Sequence, residues 1–108
     1  MKQHREFQYI YRKGKDAHTS SVVLFFLPAA NTKKVGFTAT KKIGNAVQRN
    51  RAKRRLRTLF ITYSSLLEEG TYIFVAKQAI NETTHEKLKS DFEKVLNRLQ
   101  TYKKSANG

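Results

Sequence analysis

Between Lys41 and Arg57 the sequence KKIGNAVQRNRAKRRLR carries eight Lys or Arg residues in seventeen positions and no acid. The chemistry open to such a segment is recognition of a polyanion, because ammonium and guanidinium groups screen phosphates and donate hydrogen bonds to their oxygens. From Ala46 onward the spacing is helical. Ala52, Leu56, Leu59, Phe60, Tyr63 and Leu67 fall within an arc of about 100° when each residue advances by roughly 100°. Arg51, Lys53, Arg54 and Arg57 project over the remaining, wetter arc as a fixed cationic ridge. Solvated helix faces usually alternate sign so that residues four apart support one another. Here the interval from Ala17 to Leu67 holds ten basic residues and no Asp or Glu. The whole chain is equally lopsided, with 22 basic against 8 acidic residues and a formal charge of +14 on 108 residues. Nucleic acid is the natural partner.

Chemistry carried by the protein itself has little local support. His4, His18 and His85 are scattered, and none stands at metal-ligand spacing with carboxylates or thiols. Glu68 and Glu69 follow a helix end, while Glu82, Glu86, Asp91 and Glu93 dress a C-terminal helix. A protein nuclease site needs clustered carboxylates for metal ions, or a general base and acid, so no catalytic residue is assigned. The absence of Cys excludes disulfides and thiolate metal sites and suits a reducing compartment. No apolar run approaches the ~20 residues of a membrane span, and MKQHREF lacks a signal peptide's apolar core. The expectation is a cytoplasmic protein that neither crosses nor binds membranes.

The elements that must position the ridge follow from pattern. Glu6 to Lys13 places Phe7, Ile10 and Tyr11 on one face of a short helix that Gly14 can end. Ser21 to Leu27, rich in β-branched and aromatic residues and stopped by Pro28, reads as a buried strand. Asn31 to Lys34 is a turn, and Val35 to Thr40 alternates like a strand with two unlike faces. The basic helix follows and is expected to end near Gly70. Thr71 to Ala76 is a third strand. Thr83 and Glu86 then have capping-box spacing before a helix whose stripe is Leu88, Phe92, Val95, Leu96, Leu99 and Tyr102. Residues 103–108 form a tail expected to be mobile. At this length the chain makes one domain, an α+β fold with one sheet packed by helices.

The run TKKIGNAVQRNRAKRRLR from Thr40 to Arg57 resembles the signature of the bacterial ribonuclease P protein subunit, whose core motif corresponds here to Arg49, Asn50 and Arg51. The resemblance extends to EFQYIYRKG, VVLFF, VGFTATKK and YIFVAKQA. It implies a single-domain α/β sandwich of αβββαβα order with about four strands, the first near Asp16 to Thr19, and a left-handed crossover at KKIGN. It also implies that catalysis, with its magnesium ions, belongs to an RNA subunit that removes the 5′ leader of precursor tRNA. The implied partners are ribonuclease P RNA and precursor tRNA, with no obligate protein partner.

Candidate contacts to RNA and phosphates are Lys41, Lys42, Asn45, Arg49, Asn50, Arg51, Lys53, Arg54 and Arg57. Asn50 could cap, orient Arg49 or touch RNA. By the resemblance, Phe7, Tyr11 and Phe25 line a cleft for the leader, where aromatic faces stack on unpaired bases. From pattern alone, aromatics at such spacing are more often core. Lys77 and Ala79 stand where the family commonly has Arg and Pro, and the family usually has further residues before the EF pair. A ribosomal-type RNA-binding protein would share the charge but has no need of KKIGNAVQRNR. A helix-turn-helix DNA regulator needs two helices joined by a short turn, whereas strands bracket this one.

Overall fold

The computed structural model describes residues 12–102. Phe7, Tyr11, nearly all of the expected first helix and the tail from 103 lie outside the described residues. Within them, four strands and two long helices follow in the order β1 (Lys15–His18), β2 (Val22–Pro28), β3 (Lys33–Ala39), α1 (Ala46–Tyr63), β4 (Gly70–Ala76) and α2 (His85–Arg98). Short 3-10 turns cover Lys41–Ile43, Ser64–Leu66 and Ile80–Glu82.

The strands form one mixed sheet in the order β1-β2-β4-β3. β2 runs antiparallel to β1 and β4, with Val22 opposite Ala76 and Pro28 opposite Gly70, while β3 and β4 are parallel. Pro28 ends β2, as a residue without an N–H does best at a strand terminus. Parallel neighbours cannot be joined by a hairpin, and α1 is the crossover between them. β1 coincides with the strand expected near Asp16 to Thr19. β3 opens at Lys33, two residues earlier than its alternation suggested, so the preceding turn is confined to Asn31 (φ 59°) and its neighbours.

Both helices pack on the sheet face that carries Val22, Leu24, Phe26, Tyr72 and Phe74. Phe74 stacks on Phe92 of α2 at 4.7 Å and on Phe37 of β3 at 5.8 Å, and Phe60 of α1 meets it edge-on at 5.7 Å. The expected stripes are buried: Ala52, Leu56, Leu59, Phe60, Tyr63 and Leu67 from the first, Leu88, Phe92, Val95, Leu96 and Leu99 from the second. Val23 and Ile73 are also buried yet stand outside that core, on the opposite face of the sheet.

Two boundaries differ from expectation. α1 ends at Tyr63, not near Gly70, and a 3-10 turn carries the chain to Leu67, which bridges to Tyr102. Thr84, not Thr83, caps α2 by accepting from Lys87 N at 3.2 Å, while Thr83 Oγ1 donates to the Ala79 carbonyl. Both threonines have extended backbone angles; Thr83 ends the preceding 3-10 turn with its hydroxyl committed to the Ala79 carbonyl, and Thr84 is the residue immediately before the helix.

A buried carboxylate ties α2 to the start of β2. Asp91 accepts from Ser21 Oγ at 2.7 Å and from Lys87 Nζ at 2.6 Å. Burial alone would raise its pKa, but the bonds from Lys87 and Ser21 outweigh that and hold it below the ordinary value. A carboxyl depressed in the folded state stabilises above its unfolded pKa, and that stability is lost as pH falls through the folded pKa. Asp91→Asn should therefore cost about 1.5–3 kcal/mol at neutral pH, the range for bonds to a charged group. Denaturant melts between pH 7 and pH 3 should show the gap to wild type closing as pH drops below about 4.

Candidate nucleic-acid interface

The start of α1 is built by a reciprocal cap. Asn45 Oδ1 accepts from Gln48 N and Asn45 N donates to Gln48 Oε1, each at 3.0 Å. Gly44 precedes it at φ 140°, where a Cβ would lie 1.7 Å from Gln48 Oε1. Glycine is therefore required both by the backbone angle and by the cap. The neutral cap leaves the first turn without an acid. Lys41 and Lys42 stand exposed in the 3-10 turn just before it, so cations crowd the helix end that is already positive.

Along α1 the candidate residues spread around the arc left by the buried stripe. Asn50, Arg51, Arg54 and Arg57 are exposed, while Arg49 and Lys53 are half-buried on the flank. Arg57 lies over the Phe37 ring, 5.6 Å from its centre, which anchors that guanidinium to the aromatic core. An open groove of about 820 Å³ along this surface is lined by Val47, Asn50 and the cations Arg51, Lys53, Arg54, Arg55 and Arg57. None of Arg49, Arg51, Lys53, Arg54 or Arg57 forms an ion pair with a carboxylate among the described residues.

Several assignments change role. Asn45 is exposed, but its side-chain oxygen is committed to the cap. Asn50 sits within the helix and does not cap, which leaves orientation or RNA contact among its three options. Arg55, one of the eight basic residues of the run but not among the candidate contacts, serves the fold: Nη1 donates to Ile80 O at 2.5 Å and Nη2 to Thr83 O at 2.8 Å. Desolvation, with Arg51 nearby, lowers its pKa. Asn81 completes this brace by donating to the Gln48 carbonyl at 2.9 Å. The helical wheel carried a signal for Arg55, since it borders Leu59 and Ala52 rather than the middle of the wet arc. Val47, 75 % exposed in the groove, was not singled out from sequence. Lys77 and Ala79 are exposed at the end of β4 and add no guanidinium there.

Phe25 lies on the other face of the sheet. It is half-buried, opposite Asp16 on β1 and Ile73 on β4, with the His18 ring edge-on at 6.4 Å. Tyr72 and Phe37 belong to the core instead; the Tyr72 hydroxyl donates to the Glu68 carbonyl, and burial raises its pKa. Among the described residues no three His, Cys, Asp or Glu side chains gather as metal ligands, and no helix is long and apolar enough to cross a membrane.

A small mixed sheet carries on one face a helix whose outward arginines have no carboxylate partner among the described residues and on the other an aromatic strand position, and this defines the class as an α+β protein with a cationic helix. Residues 1–100 match the Ribonuclease P family. A ribonuclease P protein component from Nitratiruptor is 42% identical over 95% of this chain and 94% of its own length, and one from Bacillus pumilus is 32% identical over 94% and 88%. The Staphylococcus aureus RNase P protein structure superposes with a TM-score of 0.83 at 28% identity, covering 95% of this chain and 96% of that one. The chain belongs to the ribonuclease P protein family, the protein part of the tRNA-processing ribonucleoprotein endoribonuclease.

The ridge and the brace should separate experimentally. Arg51→Ala or Arg54→Ala should reduce the slope of log K against log salt for RNA by about 0.7 for each phosphate that is no longer neutralised. Arg55→Ala should leave that slope in place and instead lower folding stability by about 1–3 kcal/mol, the cost of leaving two part-buried carbonyls unpaired. Salt titrations beside urea melts read the two effects independently.

Proposed function

We propose that this protein binds ribonuclease P RNA through the α1 ridge and the 5′ leader of precursor tRNA through the opposite sheet face, promoting leader removal by the RNA. The observation that carries this reading is the ridge itself, a set of cations anchored on a core-packed helix without carboxylate partners among the described residues. Arg49, Arg51, Lys53, Arg54 and Arg57, with Lys41 and Lys42 at the helix start, lower the repulsion where two polyanions meet. Asn50 and Val47 lie between the arginines, where a ribose or base edge would rest. On the leader side, Phe25 offers a stacking surface, and the family resemblance adds Phe7 and Tyr11.

Hydrolysis of one phosphodiester would leave a 5′-phosphate on the mature tRNA, and the RNA would hold the magnesium, whose chemistry there would be activation of water. Among the described residues the acidic groups are not gathered as a metal-bearing nuclease site needs. Asp91 is committed to Lys87 and Ser21, while Asp16 is paired with His18 through one oxygen. The chain's own contribution is charge screening and placement of the leader.

Purified protein added to a bacterial ribonuclease P RNA should stimulate precursor tRNA cleavage at low magnesium, whereas protein alone should cleave at no magnesium concentration. Tyr11→Ala should weaken precursor binding by about 1 kcal/mol, within the stacking range, and leave mature tRNA binding nearly unchanged. A core role predicts instead a stability loss of about 3–5 kcal/mol and equal damage to both RNAs. Site-specific cleavage by RNA-free protein would overturn the cofactor reading.

A further inference from the structure

The sheet face opposite the helices carries an acid where the chain's charge balance argues against one. Asp and Glu number 8 against 22 Lys and Arg, and a carboxylate on a surface that meets a phosphodiester chain repels it. Asp16 nonetheless stands directly across from Phe25 in the antiparallel register, so both side chains rise from one face with Cβ atoms about 5 Å apart. Its partner among the described residues is a histidine, with His18 Nε2 at 2.6 Å from Asp16 Oδ2. The His18 ring also meets Phe25 at a 75° interplanar angle, and the His18 carbonyl accepts from Arg98 Nη1 at 3.2 Å. The pair is thus held from the strand and from the end of α2. Both side chains stay about half exposed, 56% for His18 and 49% for Asp16, so a ligand can reach them without breaking their bond.

With His18 Nε2–H donated to Oδ2, the carboxylate is fixed in orientation while Oδ1 and a second lone pair of Oδ2 remain to accept. An ionised carboxylate only accepts. Among the four RNA bases, guanine alone presents two adjacent donors, N1–H and N2–H, on its Watson–Crick edge. Adenine and cytosine set a ring acceptor beside their amine, and uracil flanks its one N–H with two carbonyls; each turns lone pairs toward the carboxylate. A base lying on the Phe25 ring would extend its edge toward the neighbouring strand, where Asp16 stands.

We propose that Asp16, oriented by His18, reads a guanine in single-stranded RNA stacked against Phe25. Asp16 is then a specificity-determining residue and His18 a positioning residue. The inference rests on the leader-cleft reading above and gives that cleft a base preference at one position.

The test uses holoenzyme reconstituted on a bacterial ribonuclease P RNA and precursor tRNAs whose uridine leaders carry a single guanine, or a single adenine, walked along the leader. Wild type should bind guanine over adenine by at least about fivefold at one position, the lower bound for a bidentate side chain–base pair. Asp16→Asn, equal in size but with one acceptor oxygen replaced by a donor NH₂, should abolish that margin, and His18→Gln should reduce it. A purely structural role would lower affinity for every leader alike and leave the base ratio unmoved. If guanine is favoured by that margin at no position, or if Asp16→Asn retains it, the proposal is overturned. Phe25→Ala separates this outcome from the wider reading, with Phe25→Leu serving if the alanine variant does not fold. Loss of precursor-over-mature preference in the Phe25 variant, without guanine preference in wild type, sinks the guanine assignment alone. Unchanged precursor preference sinks the cleft itself.

Discussion

The Phe74 ring couples the sheet to everything packed on it. From the central strand β4 it stacks on Phe92 of α2 and Phe37 of β3, and it receives the edge of Phe60 from α1. Arg57 in turn lies on Phe37, so one guanidinium of the ridge is two rings away from the centre of the core. This coupling has to overcome the repulsion written into α1. Two unit charges at roughly 6 Å repel by about 0.7 kcal/mol in water before salt screening, whereas burying one large apolar side chain contributes about 1.5–3 kcal/mol. The five α1 side chains buried against the sheet outweigh the few close cation pairs. The helix therefore holds its charges at set spacing without a carboxylate ion pair on the ridge among the described residues.

The start of α1 pushes in the same electrostatic direction. A first turn with an acidic residue would offset the helix dipole, yet the cap is Asn45 with Gln48, both neutral, and the preceding turn carries Lys41 and Lys42. Backbone donors are satisfied without lowering the local positive potential. Gly44 is the condition for this, since any side chain there would collide with Gln48. Arg55 shows the converse: a guanidinium that bonds two carbonyls of the β4–α2 connection is spent on bracing, and its neighbour Arg51 stays outward.

How far these features were legible depends on whether they are periodic. The α1 and α2 stripes are, and every residue assigned to them is buried except Tyr102, which is half-buried beside its bridge to Leu67. The same period hid the end of α1. Leu67 continues the helical stripe in sequence, but it reaches the core through a 3-10 turn and a bridge. β1 is four residues, Lys15–His18, with one of them buried, too little alternation to detect, and it was expected only through the family resemblance. Asn45 as a cap and Arg55 as a brace depend on partners at Gln48, Ile80 and Thr83, and the last two are tertiary relations that no local pattern encodes. Phe25 read by pattern as core, and only the family resemblance set it on a surface, because its strand is apolar at every position from Val22 to Leu27 and alternation carries no sign.

Topology explains why the basic segment is structural as well as charged. β3 and β4 are parallel neighbours, and a parallel pair requires a crossover that returns the chain to the same end of the sheet. α1 is that crossover, so its inner arc is claimed by Phe37, Tyr72 and Phe74, and only its outer arc is free to differ in chemistry. Cations placed there cannot drift as they would on a tail, because moving them would uncouple β3 from β4. The opposite face is bound by no such crossover among the described residues. There Phe25, Asp16 and His18 hold their positions through strand register and their own mutual bonds, which leaves that face free to carry a finer pattern of donors, acceptors and rings than a ridge of like charges can.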